Sequence, residues 1–149
     1  MFVDEVHIHI KAGRGGDGAC SFRREKFVPR GGPDGGDGGH GGDVLFEASP
    51  RITTLLDLRY QKHYEAEVGR QGGAANCSGR TGKNVVVPLP VGTVIFDEET
   101  NEMLADLVAP GQQFVGAHGG RGGRGNSHFA TSTNRTPTEF ETGTEGEER

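Results

Sequence analysis

The sequence predicts an all-β protein, either a small barrel or a sandwich, with an unusual part built largely of glycine. Short stretches of alternating apolar and polar residues predict the strands, because successive side chains of a strand point to opposite faces. Glycine supplies 27 of the 149 residues and is concentrated in blocks at 13–18, 31–42 and 116–125. In the last two blocks glycine recurs at every third position, which is the repeat of a polyproline II helix.

The strand predictions begin with residues 2–11, where Val6, Ile8 and Ile10 alternate with polar residues. Five further short strands are predicted at 43–48, 84–88, 92–97, 102–107 and 112–117, separated by Gly, Pro, Asn or Asp. Two prolines at positions 88 and 90 indicate an edge or a break, because proline has no N–H to donate to a neighbouring strand. Residues 53–67 alone have the length and composition of a helix, although Tyr60 and Tyr64 suit a strand equally well.

The glycine blocks favour several short polyproline II segments packed side by side within one chain. Gly32, Gly35, Gly38 and Gly41 form one track, and a second track follows at 36, 39 and 42. Such helices approach closely only where glycine removes the side chain, and each tract is too short for a triple helix of separate chains. The residues expected to serve as scaffold are Gly35, Gly38, Gly39, Gly41, Gly119 and Gly122. The alternative interpretation is a set of flexible glycine loops.

The charge distribution favours a phosphate-rich partner more than the net charge of -5 suggests. Residues 97–106 and 139–149 together carry -9, so the remainder of the chain is about +4. Basic residues lie beside aromatic ones in a loop after Phe22, and further cations punctuate the glycine-rich stretches. Loops that carry cations suit the grooves and splayed bases of irregular RNA. The alternative is ordinary solvated loops with Phe22 and Phe27 packed inward.

Several kinds of chemistry find no support in the sequence. Three G-x-G-x-x-G matches lack the strand before and the helix after that a dinucleotide site needs, and residues 77–84 lack the first glycine and final hydroxyl of a phosphate loop. His7 and His9 could chelate a metal with Glu5, but a solvated strand face is the simpler interpretation. Cys20 and Cys77 form no disulfide framework, and the residue pattern leads us to expect neither a signal peptide nor a membrane span. We therefore expect a cytoplasmic, monomeric protein without a catalytic site, metal or cofactor in this chain.

Several motifs together resemble the N-terminal domain of Obg-family GTPases across nearly the whole chain. They are FVD at 2–4, SFRREK at 21–26, GGPDGGDGGHGGD at 31–43, Gly79 with Gly82 and Lys83, VGT at 91–93, GGRGGRGN at 119–126 and NRTP at 134–137. The resemblance implies the Obg fold, an eight-stranded β-barrel-like base with a projecting bundle of glycine-rich, left-handed polyproline II helices. It implies association with the large (50S) ribosomal subunit and its 23S rRNA near the peptidyl transferase centre, in late assembly and in stress-linked control of translation. In the family a GTPase domain follows, so GTP and Mg²⁺ are expected there rather than in this chain.

The expected organisation is a single domain over 1–149, with a glycine-rich arm at 12–43, 69–83 and 116–138 inserted in the β base. Residues 139–149 are expected to be a linker toward the GTPase domain. RNA-facing loops are expected at 22–34, 70–84 and 126–138. The residues expected to contact rRNA, mainly at its phosphates, are Arg23, Arg24, Lys26, Arg30, Arg80, Lys83 and Arg135. Rival hypotheses are a structural polyproline bundle of ice-binding or matrix type and a module that docks a stress-response or assembly protein through the acidic segments.

Overall fold

A computed structural model describes residues 5–23, 31–131, 134–135 and 137–149. These residues form an all-β protein whose seven short strands are accompanied by one single-turn α-helix and one 3₁₀ helix. The strands are β1 (His9–Lys11), β2 (Val44–Ser49), β3 (His63–Glu65), β4 (Val85–Pro90), β5 (Thr93–Phe96), β6 (Met103–Leu107) and β7 (Gln113–Ala117). The helices are α1 (Leu56–Tyr60) and the 3₁₀ helix Asn126–Phe129.

The strands form three small sheets that share one core. The largest has the order β4-β2-β7, with β2 parallel to β4 and antiparallel to β7. The short strands β1 and β3 pair in parallel, and β5 and β6 form an antiparallel hairpin. The expected all-β base is confirmed, but within the described residues its seven strands form three sheets that are not joined into one closed barrel, so the eight-stranded, barrel-like arrangement is not shown.

The core of the base is filled by apolar side chains that alternate along the strands. In β2 the side chains of Val44, Phe46 and Ala48 are buried, while the residues between them are only half-buried. Val87 of β4 and Leu107 of β6 are fully buried against this face. Burial with period two is what the sequence pattern of a strand with one inner face requires.

The predicted helix over 53–67 is mostly wrong. Only Leu56–Tyr60 are helical, and the chain is already extended at Gln61. The following residues form β3, in which Tyr64 lies beside Ile10 of β1 in the parallel register. The N–H of His9 donates to the carbonyl of Lys62, and that of Ala66 to Lys11. Pairing with a distant strand thus overrides a local helix preference, and the strand interpretation of Tyr64 was the better one.

A second region, which we call the glycine bundle, consists of six extended segments at 12–19, 34–43, 66–73, 77–84, 118–125 and 140–147. Hydrogen bonds between segments recur at every third residue: the N–H groups of Gly13, Gly16 and Ala19 donate to Gly42, Gly39 and Gly36. The second segment donates in turn to the third, at Gly73, Arg70 and Glu67, and the third donates back to the first. Each segment is therefore held by its neighbours through backbone groups.

Residues 139–149 differ from the linker that was expected. The amides of Ala12, Gly15 and Gly18 donate to the carbonyls of Glu147, Thr144 and Glu141. The N–H groups of Glu147, Thr144 and Glu141 donate in turn to carbonyls of the fifth segment, those of His118, Arg121 and Arg124. Glycines at 143 and 146 permit this approach, since a Cβ on either would come within 3.0 Å of the first segment's backbone. The acidic stretch is thus part of the bundle.

Candidate functional site

Three chain connections meet at the end of the bundle that lies away from the β base. The first and second, third and fourth, and fifth and sixth segments run antiparallel, while the first, third and fifth are parallel to one another. All three connections must therefore emerge at the same end. We call this end the tip; its described residues are 20–23, 31–34, 74–76, 126–131, 134–135 and 137–139.

The side chain of Asn126 ties two of these connections together at the tip. It is fully buried. Its Oδ1 accepts the N–H of Gly35 at 2.8 Å, and its Nδ2 donates to the carbonyls of Ser21 at 2.9 Å and Pro137 at 3.1 Å. Asn126 ends the GGRGGRGN motif but was not among the predicted site residues. The available signal was an asparagine standing where the glycine repeat of 119–125 stops.

The third connection is a tight turn with an unusual backbone. Ala75 and Asn76 have φ values of 56° and 55°, in the left-handed region that costs a non-glycine residue about 1–2 kcal/mol. The N–H of Cys77 donates to the carbonyl of Ala74, closing the turn. The N–H of Asn76 donates a hydrogen bond of 2.6 Å to the backbone carbonyl of Asp34, which fixes the turn against the second segment. The tip is therefore cross-connected by backbone and side-chain bonds.

The structure separates the residues predicted to contact rRNA into two groups. Arg23 and Arg135 are exposed at the tip. Arg80 and Lys83 are exposed along the fourth segment, three and six residues from Cys77, so Lys83 lies toward the base rather than at the tip. Arg24, Lys26 and Arg30 lie outside the described residues.

Arg80 and Lys83 share one face of the bundle with Arg70 of the third segment, and we call these three residues the basic face. The N–H of Arg70 donates to the carbonyl of Arg80 at 2.9 Å, which brings the two residues into register. All three are exposed. In the described part of the chain none of them has a carboxylate oxygen within 4.0 Å. Their charges are therefore available to an external anion.

The opposite face is neutralised by the sixth segment. Arg14 bonds Glu145 at 3.1 Å, and Arg124 bonds Glu141 while it also stacks over the ring of Phe129 at 5.1 Å. The hydrogen bond from the Arg124 side chain holds the pKa of the Glu141 carboxyl below its ordinary value. The acidic charge of 139–149 is thus used largely within the bundle, which weakens the hypothesis that this segment docks a partner protein.

The predicted scaffold glycines line the contacts between segments. A Cβ added at any of Gly35, Gly38, Gly39, Gly41, Gly119 or Gly122 would come within 3.0 Å of a neighbouring backbone atom. The track of Gly35, Gly38 and Gly41 faces the first segment, whereas the track at 36, 39 and 42 faces the fourth. A central segment with neighbours on both sides needs glycine at two of every three positions, which explains the two tracks.

His9 in β1 and His7, two residues before it, have separate carboxylate partners. His7 lies 3.1 Å from Glu98 and 3.5 Å from Glu5, and His9 lies 2.7 Å from Glu148. The two imidazoles therefore do not converge on one point. Among the described residues no group of three His, Cys, Asp or Glu side chains is arranged to hold a metal ion. The two helices described are also too short and polar to span a membrane.

Comparison with known proteins places these features in a family. The GTP1/OBG family model matches residues 3–149. The proteins named GTPase Obg from Acidobacterium capsulatum and Solibacter usitatus are 55% and 56% identical to the chain over 99% and 100% of its length. The GTPase Obg of Caldicellulosiruptor bescii is 56% identical over 99%. The chain spans 43%, 44% and 35% of the lengths of these relatives, so most of each relative has no counterpart here.

Proposed function

Because the chain belongs to the GTP1/OBG family, we propose that it is a non-catalytic module that binds the large ribosomal subunit through 23S rRNA near the peptidyl transferase centre. The observation that carries the proposal is the basic face of Arg70, Arg80 and Lys83, whose charges no described carboxylate neutralises. Unpaired cations on a fixed backbone suit the phosphates of a folded RNA.

The bundle supports this function by holding the tip at a distance from the base. Its segments are linked to one another by repeated backbone hydrogen bonds, and the three connections are fixed at one end. We propose that the segments are left-handed polyproline II helices: the repeat of three and the φ of -73° and ψ of 166° at Gly125 both agree with that conformation. Residual dipolar couplings across 34–43 and 118–125 test it, and a fit to extended strand geometry would contradict it.

The test of ribosome binding is co-sedimentation with isolated large subunits across a salt series. Reversing two charges in Arg80→Glu/Lys83→Glu should weaken binding at least about tenfold. It should also reduce the salt slope, which is the steepness with which the logarithm of the binding constant falls with the logarithm of the salt concentration, by about two, because each lost phosphate contact removes about one released counterion. The matched control is Arg59→Glu/Lys62→Glu, which makes the same change of net charge at exposed residues of the base. Equal losses in the two double variants would overturn the assignment of the basic face.

Contacts from the loop that contains Arg24, Lys26 and Arg30 stay predictions, since this loop lies outside the described residues. Reversing Arg24 and Lys26 to Glu in the same assay should likewise lower affinity and salt slope. Arg23 and Arg135 at the tip belong to the same proposed contact surface.

We propose the wider role from the family resemblance; the relatives' name, GTPase Obg, supports only its GTPase part. The part of a full-length protein that hydrolyses GTP, with its Mg²⁺, would lie outside these 149 residues, and the module would act in the cytoplasm during late subunit assembly and under stress. GTP hydrolysis measured for the 149-residue chain alone should equal the buffer background. GTP turnover by the isolated chain would contradict the proposal that hydrolysis takes place outside these 149 residues.

A second candidate, docking of an assembly or stress-response protein, is favoured by one feature of the base. The β5–β6 hairpin exposes Phe96 and Met103 at 57% and 58% of their surfaces, beside the acidic turn of 97–102. Phe96→Ser/Met103→Ser should leave subunit binding unchanged if the hairpin serves a protein partner. Loss of subunit binding in that variant would instead place the hairpin against the ribosome.

A further inference from the structure

A repeating carboxylate pattern joins the second and fifth segments of the bundle. Asp37 Oδ1 accepts the N–H of Gly125 at 3.0 Å, and Asp43 Oδ1 accepts that of Gly119 at 2.6 Å. The two segments run antiparallel with a repeat of three. Halfway between these two bonds the pattern therefore places residue 40 opposite residue 122.

The pattern is broken at that midpoint, because residue 40 is histidine rather than aspartate. Every other amide from 118 to 126 donates a hydrogen bond to a backbone or side-chain oxygen. The N–H of Gly122 has no acceptor within the described residues. Within 118–126 a single backbone donor is thus left over, at the one place where the carboxylate is missing.

An open cleft occurs at this place, lined by His40, Gly122, Arg121, Arg124, Asp37 and Glu141. The two acids in it already have partners: Glu141 bonds Arg124, and Asp37 bonds the N–H of Gly125 and lies 2.8 Å from His128 Nε2. Arg121 is exposed and has no carboxylate oxygen within 4.0 Å in the described chain, although it lies near enough to Glu141 to lower the pKa of that carboxyl. The groups left for a ligand are the Gly122 N–H, the Arg121 guanidinium and the His40 ring.

We propose that this cleft binds a phosphate group, which occupies the place of the carboxylate that the repeat lacks at residue 40. A phosphate oxygen accepts the Gly122 N–H, and a second oxygen accepts from the Arg121 guanidinium; both are charge-assisted bonds. A backbone N–H combined with an arginine is also the donor set that positions nucleic-acid phosphates. The phosphate is either free in solution or a phosphodiester of RNA, and only the second source rests on the ribosome-binding proposal above.

The direct test follows the amide signal of Gly122 during titration of the 149-residue chain with inorganic phosphate at constant ionic strength. The signal should move saturably, whereas the amides of Gly119 and Gly125, which already have carboxylate acceptors, should move little. These two residues are internal controls in the same spectrum. Absence of a saturable shift at Gly122, or equal shifts at all three amides, would overturn the proposal.

The matched variant is His40→Asp, which completes the repeat with an internal carboxylate. Its Gly122 amide should be shifted before any phosphate is added, and its phosphate affinity should fall at least about tenfold, because the new carboxylate competes for the donor and repels the anion. Arg121→Gln should also weaken phosphate binding, although it provides no new carboxylate acceptor for the Gly122 N–H. A His40→Asp variant with wild-type phosphate affinity would contradict the assigned place of the anion.

Co-sedimentation with large subunits separates the two sources of phosphate. If the ligand is an RNA phosphodiester, His40→Asp lowers the affinity for the subunit, and it also lowers the salt slope by about one. If His40→Asp loses the phosphate response but keeps subunit binding, the site serves free phosphate and the ribosome-binding proposal stands. If the unmodified chain does not sediment with subunits but shows the Gly122 response, the functional proposal fails while the phosphate site stands.

Discussion

The β base and the glycine bundle build their interiors in opposite ways. In the base, side chains such as Val44, Val87 and Leu107 are fully buried and fill the space between the sheets. In the bundle the space between segments is filled by the backbones themselves, since even one carbon added at most of the glycines would come within 3.0 Å of a neighbouring main chain. The base is stabilised by apolar burial. The bundle is stabilised by repeated hydrogen bonds between segments whose backbones lie too close together to leave room for side chains.

The two interiors also differ in the repeat with which residues are buried. Along β2 buried and half-buried residues alternate with period two. Along 12–19 two buried residues are followed by one half-buried residue, and in 35–43 two buried residues are again followed by one that is half-buried or exposed. The third position is therefore the one that carries side chains outward, and Arg14, Asp37 and His40 all occupy it. A bundle of this kind has a fixed shape and displays chemistry only along its outer rows.

The largest expected effect is that of adding one methyl group inside the bundle. In Gly38→Ala the new Cβ would meet the carbonyl of Gly16, and the segments on either side leave no room for either backbone to withdraw. We expect a loss of about 3 kcal/mol or more in the free energy of unfolding, at the upper end of overpacking costs. The measurement is the urea-induced unfolding midpoint.

Gly32→Ala is the matched control for this substitution. A Cβ at Gly32 has no atom within 4 Å, so the change should alter stability by no more than about 0.5 kcal/mol. Similar small effects in both variants would mean that the glycine tracts are loose loops, and the contrast between bundle and base would collapse.

A somewhat smaller loss is expected where the bundle does use a buried side chain. Asn126→Ala leaves the N–H of Gly35 and the carbonyl of Pro137 without their partner, while the carbonyl of Ser21 keeps the N–H of Asp34. Since each buried polar group left unpaired costs about 1–3 kcal/mol, we expect a loss of about 3 kcal/mol in total after partial hydration. Amide hydrogen exchange at Gly35 should accelerate in this variant.

Asn134→Ala in the same tip is the comparison for Asn126. The hydrogen bonds of Asn134 to Thr131 are made by its backbone, so the substitution should leave the unfolding midpoint nearly unchanged. If both variants lose equal stability, the tip is organised by something other than the Asn126 side chain.

In the base the informative substitution removes volume instead of adding it. Val87→Ala removes two methyl groups from a fully buried site, and at about 0.8 kcal/mol for each buried carbon with an added cavity cost we expect a loss of about 2 kcal/mol. Val86→Ala on the same strand removes an exposed side chain and should cost less than about 0.5 kcal/mol. The comparison between regions holds if one carbon added at residue 38 costs more than two carbons removed at residue 87.

The sequence predicted the base and the period of the bundle better than it predicted how the segments meet. Strands at 43–48, 84–88, 92–97, 102–107 and 112–117 agree with β2, β4, β5, β6 and β7 to within two residues, because one buried face imposes alternation. The helix at 53–67 was mostly wrong, since β3 depends on pairing with β1 about 54 residues earlier.

The features of the site that escaped prediction are all contacts between distant residues. Nothing local marks Asn126 as the partner of Ser21 and Gly35. Two glycines three residues apart, at 143 and 146, were too weak a local signal to distinguish a sixth segment from a linker in the acidic 139–149. The charge of that segment could be counted from the sequence, but not its pairing with Arg14 and Arg124. Arg70, Arg80 and Lys83 could be grouped from the sequence as the cations of one glycine-rich stretch, but the hydrogen bond that brings Arg70 beside Arg80 could not be predicted.

The smallest expected effect concerns pH and a single outward row of the bundle. The N–H of Gly143 donates to Asp17 at 2.9 Å and, with the neighbouring Arg14, holds the pKa of that carboxyl below its ordinary value of 3.8, against the opposing effect of burial. A carboxyl whose pKa is lower in the folded state stabilises the protein above pH 3.8, and this contribution is lost as the pH falls through the folded pKa.

Asp17→Asn retains an oxygen for the Gly143 N–H but cannot lose or gain the proton. The variant should therefore be less stable than the unmodified chain at pH 7, by less than about 1 kcal/mol because the site is partly exposed and screened, and the difference should shrink below pH 3.8. Unfolding midpoints measured from pH 7 to pH 2.5 test this. A difference that does not depend on pH would show that the Gly143 contact acts through the shape of the Asp17 side chain alone, as the close packing of the bundle acts elsewhere, and not through its charge.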